Sequence, residues 1–412
     1  MAYELDFVGR SSRNDASVGR GEFRRIAGEP RGNKVKKHRI LLVVKYPIGG
    51  IRTFFRYVYN NFGSEKYHFT LVAPDLPETR VLLDDLKCLD LEYIPAAPNA
   101  SNRELFRLVT TTIRGQSFGL IHSHGFTSAA CTIIGALSKQ IPHMLTCHDV
   151  FTSGQFVGLK GFVKKSALGA MLSLIDCIHC VSNDARDNLL AYLPILKLFK
   201  HKVVTILHGI EVESFVNAER RDLKVELGLP PDTFLIGFMG RFMAQKGFRY
   251  LVDALEQLKR IENLPRVPVL LTFGQPDGFI REEQEQVKKR GLADSILFLP
   301  FVPNVASTLK GLDIVAMPSL WEACGLLAME AMVVGVPLIG TDCIGLREVL
   351  RNTPAYVVPV KDSLALSEAL IREMKNSTKA KAGLFATVAA DRFQVEARAA
   401  EIEKLMIGFL ER

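Results

Sequence analysis

Glu322 and Glu330 are two carboxylates, eight residues apart, in a segment that is otherwise largely apolar or small, PSLWEACGLLAMEAMVVGVP (318–337). Gly335 and Pro337 predict a helix end, and a helix that is apolar on nearly every face is expected to be buried. Burying a carboxylate is costly unless hydrogen-bond donors surround it. Two acids beside a predicted helix N-terminus therefore indicate a ligand site, because phosphates bind there. The structural alternative is that Glu330 caps a neighbouring backbone or pairs with an arginine.

A basic pair follows the first predicted strand of the second half of the chain. Arg241 and Lys246 are five residues apart in GFMGRFMAQKGF (237–248), in a turn that begins a predicted helix. A guanidinium grips phosphate oxygens as a fork, and an ammonium acts as a point charge. Cations fixed in this way stabilise a diphosphate leaving group as it gains negative charge. The alternative is that both side chains are only solvated.

Gly49 and Gly50 lie between a predicted strand, HRILLVV (38–44), and a predicted helix over 51–62. A strand, a glycine turn and a helix together direct backbone N–H groups at a phosphate. Neither of the common glycine-rich nucleotide motifs is present, so a simple tight turn is the alternative.

Two histidines end predicted strands: His124 ends LIHSH (120–124), and His148 follows HMLTC (143–147). Ligands of parallel α/β sheets bind beyond the carboxyl ends of the strands, so both histidines are candidates for a site. We predict that His122 points elsewhere and is structural.

Strands and helices alternate along the chain, which predicts parallel sheets with helices on both faces. The first set of strands comprises 38–44, 69–74, 91–95, 120–124, 143–147, 175–181 and 203–207. The second set comprises 234–239, 268–273, 296–299, 313–318, 336–340 and 355–358. The 412 residues are more than one core comfortably serves. We therefore predict a basic flexible tail (1–35), two domains (36–215 and 216–385) and a final helical segment (386–412).

Composition restricts the partners and the compartment. A net charge of +8 and a pI near 9.0 favour an anionic partner, which could be a nucleotide diphosphate, an acidic lipid surface or nucleic acid. The absence of a long apolar run and the seven cysteines predict a cytoplasmic protein in a reducing compartment. Cys177 and Cys180 form a single CxxC in an apolar run and are predicted to be core residues.

Two segments mix apolar and basic residues: 155–172 and 189–202. They could rest on the acidic inner face of a membrane as peripheral surfaces, or their apolar faces could simply pack on the sheet. The lysines concerned are Lys160, Lys164, Lys165, Lys197, Lys200 and Lys202.

Three of these patterns resemble retaining glycosyltransferases of family 4, which have the glycosyltransferase-B fold. They are the E-x7-E spacing of Glu322 and Glu330, the G-R-x-x-x-x-K-G pattern of 240–247, and V-S-x-x-x-R at 181–186. The resemblance implies an α/β protein with two Rossmann-like domains facing across a cleft. It also implies that the final segment, 386–412, crosses back to the first domain.

The resemblance also implies a role for each matching residue. Arg241 and Lys246 bind the diphosphate of the donor, Glu330 binds the ribose hydroxyls, Glu322 faces the donor sugar, and His124 lies close to the reacting sugar. Backbone groups of four further residues face the phosphates: Gly49, Gly50, Gly325 and Leu326. This sequence departs from the family pattern at Ala323 and Cys324, in loops that the resemblance places around the donor, so donor identity is the property that these changes place in doubt. His208 stands where the family pattern has Asn.

The implied reaction moves a hexosyl group from a UDP- or GDP-linked sugar to a hydroxyl of a glycan or lipid-linked acceptor, with retention at the anomeric carbon. No D-x-D pattern is evident, so we predict that the reaction needs no metal. We also predict no cofactor besides the donor substrate, and no nucleic-acid partner. A glycosidase could use two carboxylates, but it has no need of the Arg241/Lys246 pair. The alternatives are a nucleotide-sugar 2-epimerase of related fold, and a catalytically silent sugar-nucleotide-binding or partner subunit.

Overall fold

The computed structural model describes residues 37–274, 280–300, 302 and 305–411, and these residues form two parallel α/β domains. The predicted basic tail and most of the GQPDG loop lie outside the described residues. Each strand of the structure overlaps a predicted segment, because β-branched and leucine-rich runs bounded by turns are typical of strands covered on both faces.

The first domain holds a seven-stranded parallel sheet in the order β3-β2-β1-β4-β5-β6-β7. Its strands are β1 His38–Val44, β2 Tyr67–Pro74, β3 Leu91–Ala96, β4 Leu120–His124, β5 His143–Cys147, β6 Cys177–Cys180 and β7 Val203–Thr205. Its helices are α1 Gly50–Phe54, α2 Pro77–Asp85, α3 Asn102–Gly115, α4 Phe126–Lys139, α5 Gly158–Ser173 and α6 Asn183–Tyr192. A π-helical turn, Phe55–Tyr59, continues α1, and 3₁₀ turns occupy Ser153–Phe156 and Pro194–Lys202.

The second domain holds a six-stranded parallel sheet in the order β10-β9-β8-β11-β12-β13. Its strands are β8 Phe234–Met239, β9 Pro268–Phe273, β10 Ile296–Leu299, β11 Ile314–Met317, β12 Leu338–Thr341 and β13 Tyr356–Val358. The helices from the junction onward are α7 Val212–Val216, α8 Leu223–Glu226, α9 Phe248–Lys259, α10 Ile280–Lys289, α11 Val305–Gly311, α12 Leu326–Val333, α13 Leu346–Leu350, α14 Ser363–Lys375, α15 Lys379–Phe393 and α16 Val395–Leu410. Ala244–Lys246 is a 3₁₀ turn.

The last helix, α16, packs on the first domain. Ile210 and the start of α16 exchange backbone hydrogen bonds, since Ile210 N–H donates to Phe393 O and Val395 N–H donates to Ile210 O. Farther along α16, Glu403 accepts a hydrogen bond of 2.9 Å from the hydroxyl of Tyr67 on β2. The chain therefore crosses between the domains twice. The exact boundaries drawn at 215 and 385 stay predictions.

A second set of polar contacts joins the domains beside α6. The Asp184 carboxylate accepts hydrogen bonds from the Arg347 guanidinium at 2.8 and 2.9 Å and from the Gly345 N–H at 2.9 Å. In return, the Glu348 carboxylate accepts from the Asp184 N–H and from the Asn183 amide. These contacts hold the carboxyl ends of the two sheets face to face.

Cys177 and Cys180 are buried and free, which confirms that they are core residues. In the described part of the chain, no helix combines the length and the apolar character needed to cross a membrane.

The crossing at Gly209 supplies the first prediction. A Cβ on Gly209 would lie 2.6 Å from the Val395 Cα and 2.9 Å from the Gln394 carbonyl oxygen, so Gly209→Ala must push the two crossing segments apart. We expect it to lower the free energy of unfolding by about 1–3 kcal/mol, measured by urea or thermal unfolding.

The matched control is Gly408→Ala in α16, where a new Cβ meets nothing within 4 Å. Alanine favours a helix interior over glycine by roughly 0.5–1 kcal/mol, so this variant is expected to be neutral or more stable. Equal stability of the two variants would contradict the packing seen at the crossing.

Candidate active site

A cavity of about 600 Å³ lies between the carboxyl ends of the two sheets. It is lined by seven of the predicted site residues, which come from both domains: Gly50, His124, Arg241, Lys246, Glu322, Gly325 and Leu326. Two predicted residues, Gly49 and Glu330, do not line it. Gly49 precedes α1 with a φ of +56°, a conformation that glycine adopts readily.

The loop that carries the basic pair packs directly on the loop that carries Glu322. Gly247 has a φ of +67°, and a Cβ there would lie 1.9 Å from the Pro318 carbonyl oxygen. The Leu320 N–H donates to Gln245 O at 2.7 Å across the same contact. Only glycine allows this approach, which explains sterically why the last residue of the G-R-x-x-x-x-K-G motif is glycine.

The contact brings Lys246 to Glu322. The Lys246 Nζ donates to the Glu322 Oε1 at 2.7 Å, and the Ser319 hydroxyl donates to the same oxygen at 2.7 Å. Glu322 is only 6% exposed, and the two donors compensate its loss of water. The ammonium of Lys246 is thus held at the cavity wall by the carboxylate beside it.

Glu322 is fixed from its other side as well. Its N–H donates to Ile344 O at 3.0 Å, and a Cβ on Gly345, which has a φ of +78°, would lie 2.1 Å from the Glu322 carbonyl oxygen. Three loops of the second domain therefore meet at this residue, each following a strand: 240–247, 318–325 and 342–345.

Arg241 lines the same cavity without a local partner. No carboxylate in the described residues forms an ion pair with it. Across the cavity, burial raises the pKa of the Asp149 carboxyl, and Arg241 partly opposes that rise. Within the described residues Arg241 thus has no ion pair, and it lines the space that a ligand would occupy.

The N-terminus of α12 opens into the cavity between these charges. Gly325 precedes the helix, no side chain caps it, and no acid occupies its first turn. The first N–H groups of a helix have no partner within the helix and carry partial positive charge. Together with Arg241 and Lys246, they make this wall of the cavity suited to an anion.

Glu330 lies on α12 one turn beyond Leu326 and faces the first domain. Burial raises the pKa of its carboxyl to about 7, with Arg56 opposing the rise. Arg56 forms its ion pair with Glu211 at 2.8 Å instead. In the described part of the chain the Glu330 carboxylate accepts no hydrogen bond, so neither structural alternative, a backbone cap or an arginine pair, is observed.

On the first domain, His124 is 1% exposed and lies against the ring of Phe55 at 4.3 Å. Its Nδ1 is 3.0 Å from the Nε2 of His148, which also lines the cavity. The prediction that His122 points away from His124 is wrong. Their rings are 4.3 Å apart, because side chains two residues apart in a strand share a face.

Two family models match the chain. The model described as Glycosyltransferase Family 4 matches residues 48–214, and the model described as Glycosyl transferases group 1 matches residues 219–383. The chain belongs to glycosyltransferase family 4. It has the glycosyltransferase-B fold, as predicted.

Curated relatives and solved structures agree with this assignment. The chain is 37% identical over 144 residues to the lipopolysaccharide core biosynthesis mannosyltransferase LpsB of Rhizobium meliloti, covering 33% of this chain and 40% of that one. It is 25% identical over 298 residues to D-inositol 3-phosphate glycosyltransferase 1 of Catenulispora acidiphila, covering 68% and 70%. The match to LpsB thus spans about two fifths of that relative's length.

Among the solved structures, the Anabaena protein HepE in complex with UDP and glucose superposes with a TM-score of 0.75 at 17% identity, covering 90% of this chain and all of that one. WaaG, a glycosyltransferase involved in lipopolysaccharide biosynthesis, superposes with a TM-score of 0.64 at 15% identity, covering 90% and 100%. These similarities show the fold.

The cavity wall also contains residues that were not predicted as site residues, among them Ser319, Asp149 and His208. Ser319 follows Pro318 at the start of the segment that holds Glu322, and Asp149 follows His148. His208 was noted as a departure from the family pattern. Its Nδ1 donates to Gly209 O at 2.6 Å, which leaves its buried Nε2 as an acceptor without a partner in the described residues.

The described residues contain no group of three His, Cys, Asp or Glu side chains placed to hold a metal ion. Metal independence stays a prediction, which the cations at the cavity wall support.

The raised pKa of Glu330 predicts a pH-dependent cost to the free energy of unfolding. The folded-state pKa, about 7, lies above the ordinary value of 4.5 for a glutamate, so the unfolded chain releases this proton first as the pH rises. Stability therefore falls between about pH 4.5 and pH 7 and stays lower above it, by at most roughly 3 kcal/mol. Arg56, Glu211 and Tyr57 are the ionisable groups nearby.

Glu330→Gln removes this cost, so its stability advantage over the wild type is expected to grow from pH 4.5 to pH 7 and then level off. Thermal unfolding of both proteins across this range measures the difference. A difference that does not change with pH would show that the carboxyl is not buried as described.

Proposed function

We propose that this enzyme transfers a hexosyl group from a nucleoside-diphosphate sugar to a hydroxyl of a glycan, glycolipid or lipid-linked acceptor. The observation that carries the proposal is that the two domains line the cavity with different chemical groups. Arg241, Lys246 and the N-terminus of α12 form a cationic wall on the second domain. Neutral imidazoles form the opposite wall on the first domain.

The cationic wall suits the diphosphate of the donor. When the bond between the anomeric carbon and the diphosphate oxygen breaks, negative charge accumulates on the diphosphate. Arg241 has no carboxylate partner to leave, and Lys246 is already fixed by Glu322 at 2.7 Å. Cations and N–H donors that are in place before the reaction stabilise this charge without reorganisation. This wall supports the prediction that the transfer needs no metal.

The opposite wall suits a sugar. Burial lowers the pKa of His124 and of His148 well below the usual range, so both rings are neutral near pH 7. The neutral imidazoles of this wall, including the unpartnered Nε2 of His208, are hydrogen-bond acceptors that match hydroxyl groups. The carboxylate of Glu322, on the second domain, adds a further acceptor from the other side of the cavity. Glu330, with an unused carboxylate on α12, is proposed to bind the ribose hydroxyls.

Three finer points belong to the proposal. The donor is UDP- or GDP-linked; the structural neighbour HepE has been solved with UDP-glucose. The anomeric configuration is retained, as the family resemblance implies. The setting is polysaccharide or glycoconjugate assembly, in line with the lipopolysaccharide and inositol-phosphate activities named for the relatives.

Turnover of donor sugars tests the reaction. With UDP- and GDP-sugars and chelator present, we expect the wild type to release nucleoside diphosphate, and nuclear magnetic resonance of the product should show the anomeric configuration of the donor. Arg241→Ala should lower kcat/KM by about 10²–10³-fold, the usual loss for one transition-state donor.

Arg249→Ala is the control, because Arg249 is exposed on α9 and stacks on Tyr250 instead of lining the cavity. Equal kinetics of Arg241→Ala and Arg249→Ala would remove Arg241 from the site. Glu322→Gln separates enzyme from silent binder: turnover must fall while diphosphate binding persists, and a wild type without turnover would favour the silent-subunit alternative.

We also propose peripheral contact with the acidic inner face of a membrane. An apolar patch, here called the α5 patch, consists of exposed residues at the start of α5 and in the following 3₁₀ turn: Val157, Leu159, Phe162, Val163 and Leu198. Leu159, Phe162 and Val163 share one side of the helix. The rest of α5 packs on the core through Leu172, so packing on the sheet, the alternative considered above, holds for that end alone.

Lysines surround the α5 patch. Lys160, Lys164, Lys197 and Lys200 are exposed, and Lys165 and Lys202 are half-buried. Each basic residue near an anionic bilayer contributes about 1 kcal/mol, and exposed apolar side chains between them can enter the headgroup boundary.

The α5 patch is connected to the cavity. Phe156, which ends the 3₁₀ turn just before α5, packs on Phe151 at 5.2 Å, and Phe151 stacks on Phe126 at 4.8 Å. Phe126 lines the cavity. Phe151 itself is buried in the core, so these rings join the α5 end of the first domain to the cavity wall by packing.

Substituting Leu159 and Phe162 with Asp should abolish sedimentation with vesicles that contain anionic lipid and should leave turnover of a water-soluble acceptor unchanged. Leu384→Asp is the control, since Leu384 is equally exposed, at 82% against 80% for Leu159, but lies on α15. Wild-type protein that stays in the supernatant with anionic vesicles at low salt would contradict the membrane proposal.

A further inference from the structure

A chain of buried hydrogen bonds runs from the core of the first domain to the cavity wall. It begins at the backbone carbonyl of Ile206, which is 2.9 Å from the Nε2 of His179. It continues through His179 Nδ1 to the Thr146 hydroxyl at 3.1 Å, and from there to the Nε2 of His122 at 2.7 Å.

The second half of the chain passes through Tyr59. The Tyr59 hydroxyl is 2.8 Å from the Nδ1 of His122 and 2.8 Å from the Nε2 of His124. The Nδ1 of His124 is in turn 3.0 Å from the Nε2 of His148. The side chains of Tyr59, His122, His124, Thr146 and His179 are at most 1% exposed, and Ile206 is 8% exposed. Water therefore does not compete for the bonds between these side chains.

The direction of every bond follows from the carbonyl. A carbonyl only accepts, so the Nε2 of His179 carries the proton, and its neutral ring accepts at Nδ1. The Thr146 hydroxyl has one proton, which it donates to His179, so it accepts from the Nε2–H of His122. The Nδ1 of His122 must then accept from the hydroxyl of Tyr59.

The same reasoning carries the direction through Tyr59. Its single proton is used on His122, so its oxygen accepts from the Nε2–H of His124. The Nδ1 of His124 then accepts from the Nε2–H of His148. The remaining nitrogen of His148, Nδ1, is left as an acceptor, and it has no hydrogen-bond partner among the residues that the structure describes. All four histidines are thus Nε2–H tautomers.

Tyr59 is held for this task by its surroundings. It ends the π-helical turn Phe55–Tyr59, and π turns occur frequently at functional sites. Its ring packs edge-on against Phe55 at 5.1 Å, Phe62 at 5.4 Å and Phe69 at 5.5 Å. This packing fixes the direction of the hydroxyl, which therefore stays between the two histidines.

We infer that Tyr59 is a positioning residue for the transfer. Its hydroxyl passes the direction set by the Ile206 carbonyl to His124 and His148, so that the cavity always meets an acceptor nitrogen, the Nδ1 of His148. Such a nitrogen binds a hydroxyl group of the substrate, which belongs either to the donor sugar or to the acceptor. The inference about substrate rests on the proposed function, whereas the tautomers do not.

The first test is nitrogen nuclear magnetic resonance of ligand-free protein with labelled histidines, which distinguishes protonated from unprotonated ring nitrogens. His148→Gln identifies the His148 signals. The wild type should show an unprotonated Nδ1 for His148 at pH 7.5. A protonated Nδ1 would overturn the inference, whether or not the protein has transferase activity.

Two variants break the chain at different places. Tyr59→Phe removes the shared hydroxyl, and Thr146→Val cuts the link to the carbonyl without touching either cavity histidine. In both, the direction is no longer imposed, so His148 should become a mixture of tautomers. We expect kcat/KM to fall roughly three- to tenfold, the factor for one neutral hydrogen bond.

Tyr67→Phe is the matched control. It removes the hydroxyl of another buried tyrosine of the same domain. This hydroxyl donates to Glu403 and is not part of the hydrogen-bond chain through Tyr59. It should lose stability and keep wild-type kinetics and tautomers. If Tyr59→Phe and Thr146→Val have the same kinetics and the same His148 tautomer as Tyr67→Phe, the hydrogen-bond chain is only structural.

The kinetic constants of Tyr59→Phe identify the hydroxyl. A raised KM for the donor with an unchanged KM for the acceptor indicates a hydroxyl of the donor sugar, and the converse indicates the acceptor. If the wild type shows the predicted tautomers but no turnover, the inference about the hydrogen-bond chain stands and the proposed function is wrong.

Discussion

The ion pair between Lys246 and Glu322 is the contact on which the cavity depends. It exists because two loops approach each other to van der Waals distance at Gly247 and Pro318 and are tied by the hydrogen bond from Leu320 to Gln245. The third loop supports Glu322 through Ile344 and Gly345. The buried carboxylate is thus compensated within the protein, and the ammonium is in place before any ligand arrives. A diphosphate would find its cationic partner already positioned.

The two domains divide the chemistry of the site. The second domain contributes charge, through Arg241, Lys246 and the N-terminus of α12. The first domain contributes the Asp149 carboxyl and the neutral imidazoles of His124 and His148, whose tautomers we infer to be set by the Ile206 carbonyl, directly after β7. Charge attracts a diphosphate from any nucleotide, whereas oriented neutral acceptors distinguish one arrangement of hydroxyl groups from another. Selectivity for the sugar and the acceptor is therefore expected to depend on the first domain.

The strands and the sharp motifs could be predicted from the sequence because they depend on local patterns. Runs such as HRILLVV and the glycine of G-R-x-x-x-x-K-G have direct physical meanings. The structure places Arg241, Lys246 and Glu322 together, as the family resemblance implied. Long-range contacts have no such local signal. The Glu330 carboxyl lies outside the main cavity because the helix turns it toward Arg56, and the π turn that carries Tyr59 was predicted as ordinary helix. The error on His122 came from a wrong rule, since residues two apart in a strand share a face. The chain through Tyr59 joins residues 59, 122, 124, 146, 148, 179 and 206, which are neighbours only after folding.

The central claim is that this cavity binds a nucleoside diphosphate through protein cations. Calorimetric titration of UDP, GDP, ADP and TDP into the wild type and Arg241→Ala, with chelator present, tests it most directly. We expect one diphosphate to bind the wild type clearly more tightly than the others, and Arg241→Ala to lose most of this affinity. Absence of binding by all four, or equal binding by both proteins, would contradict it.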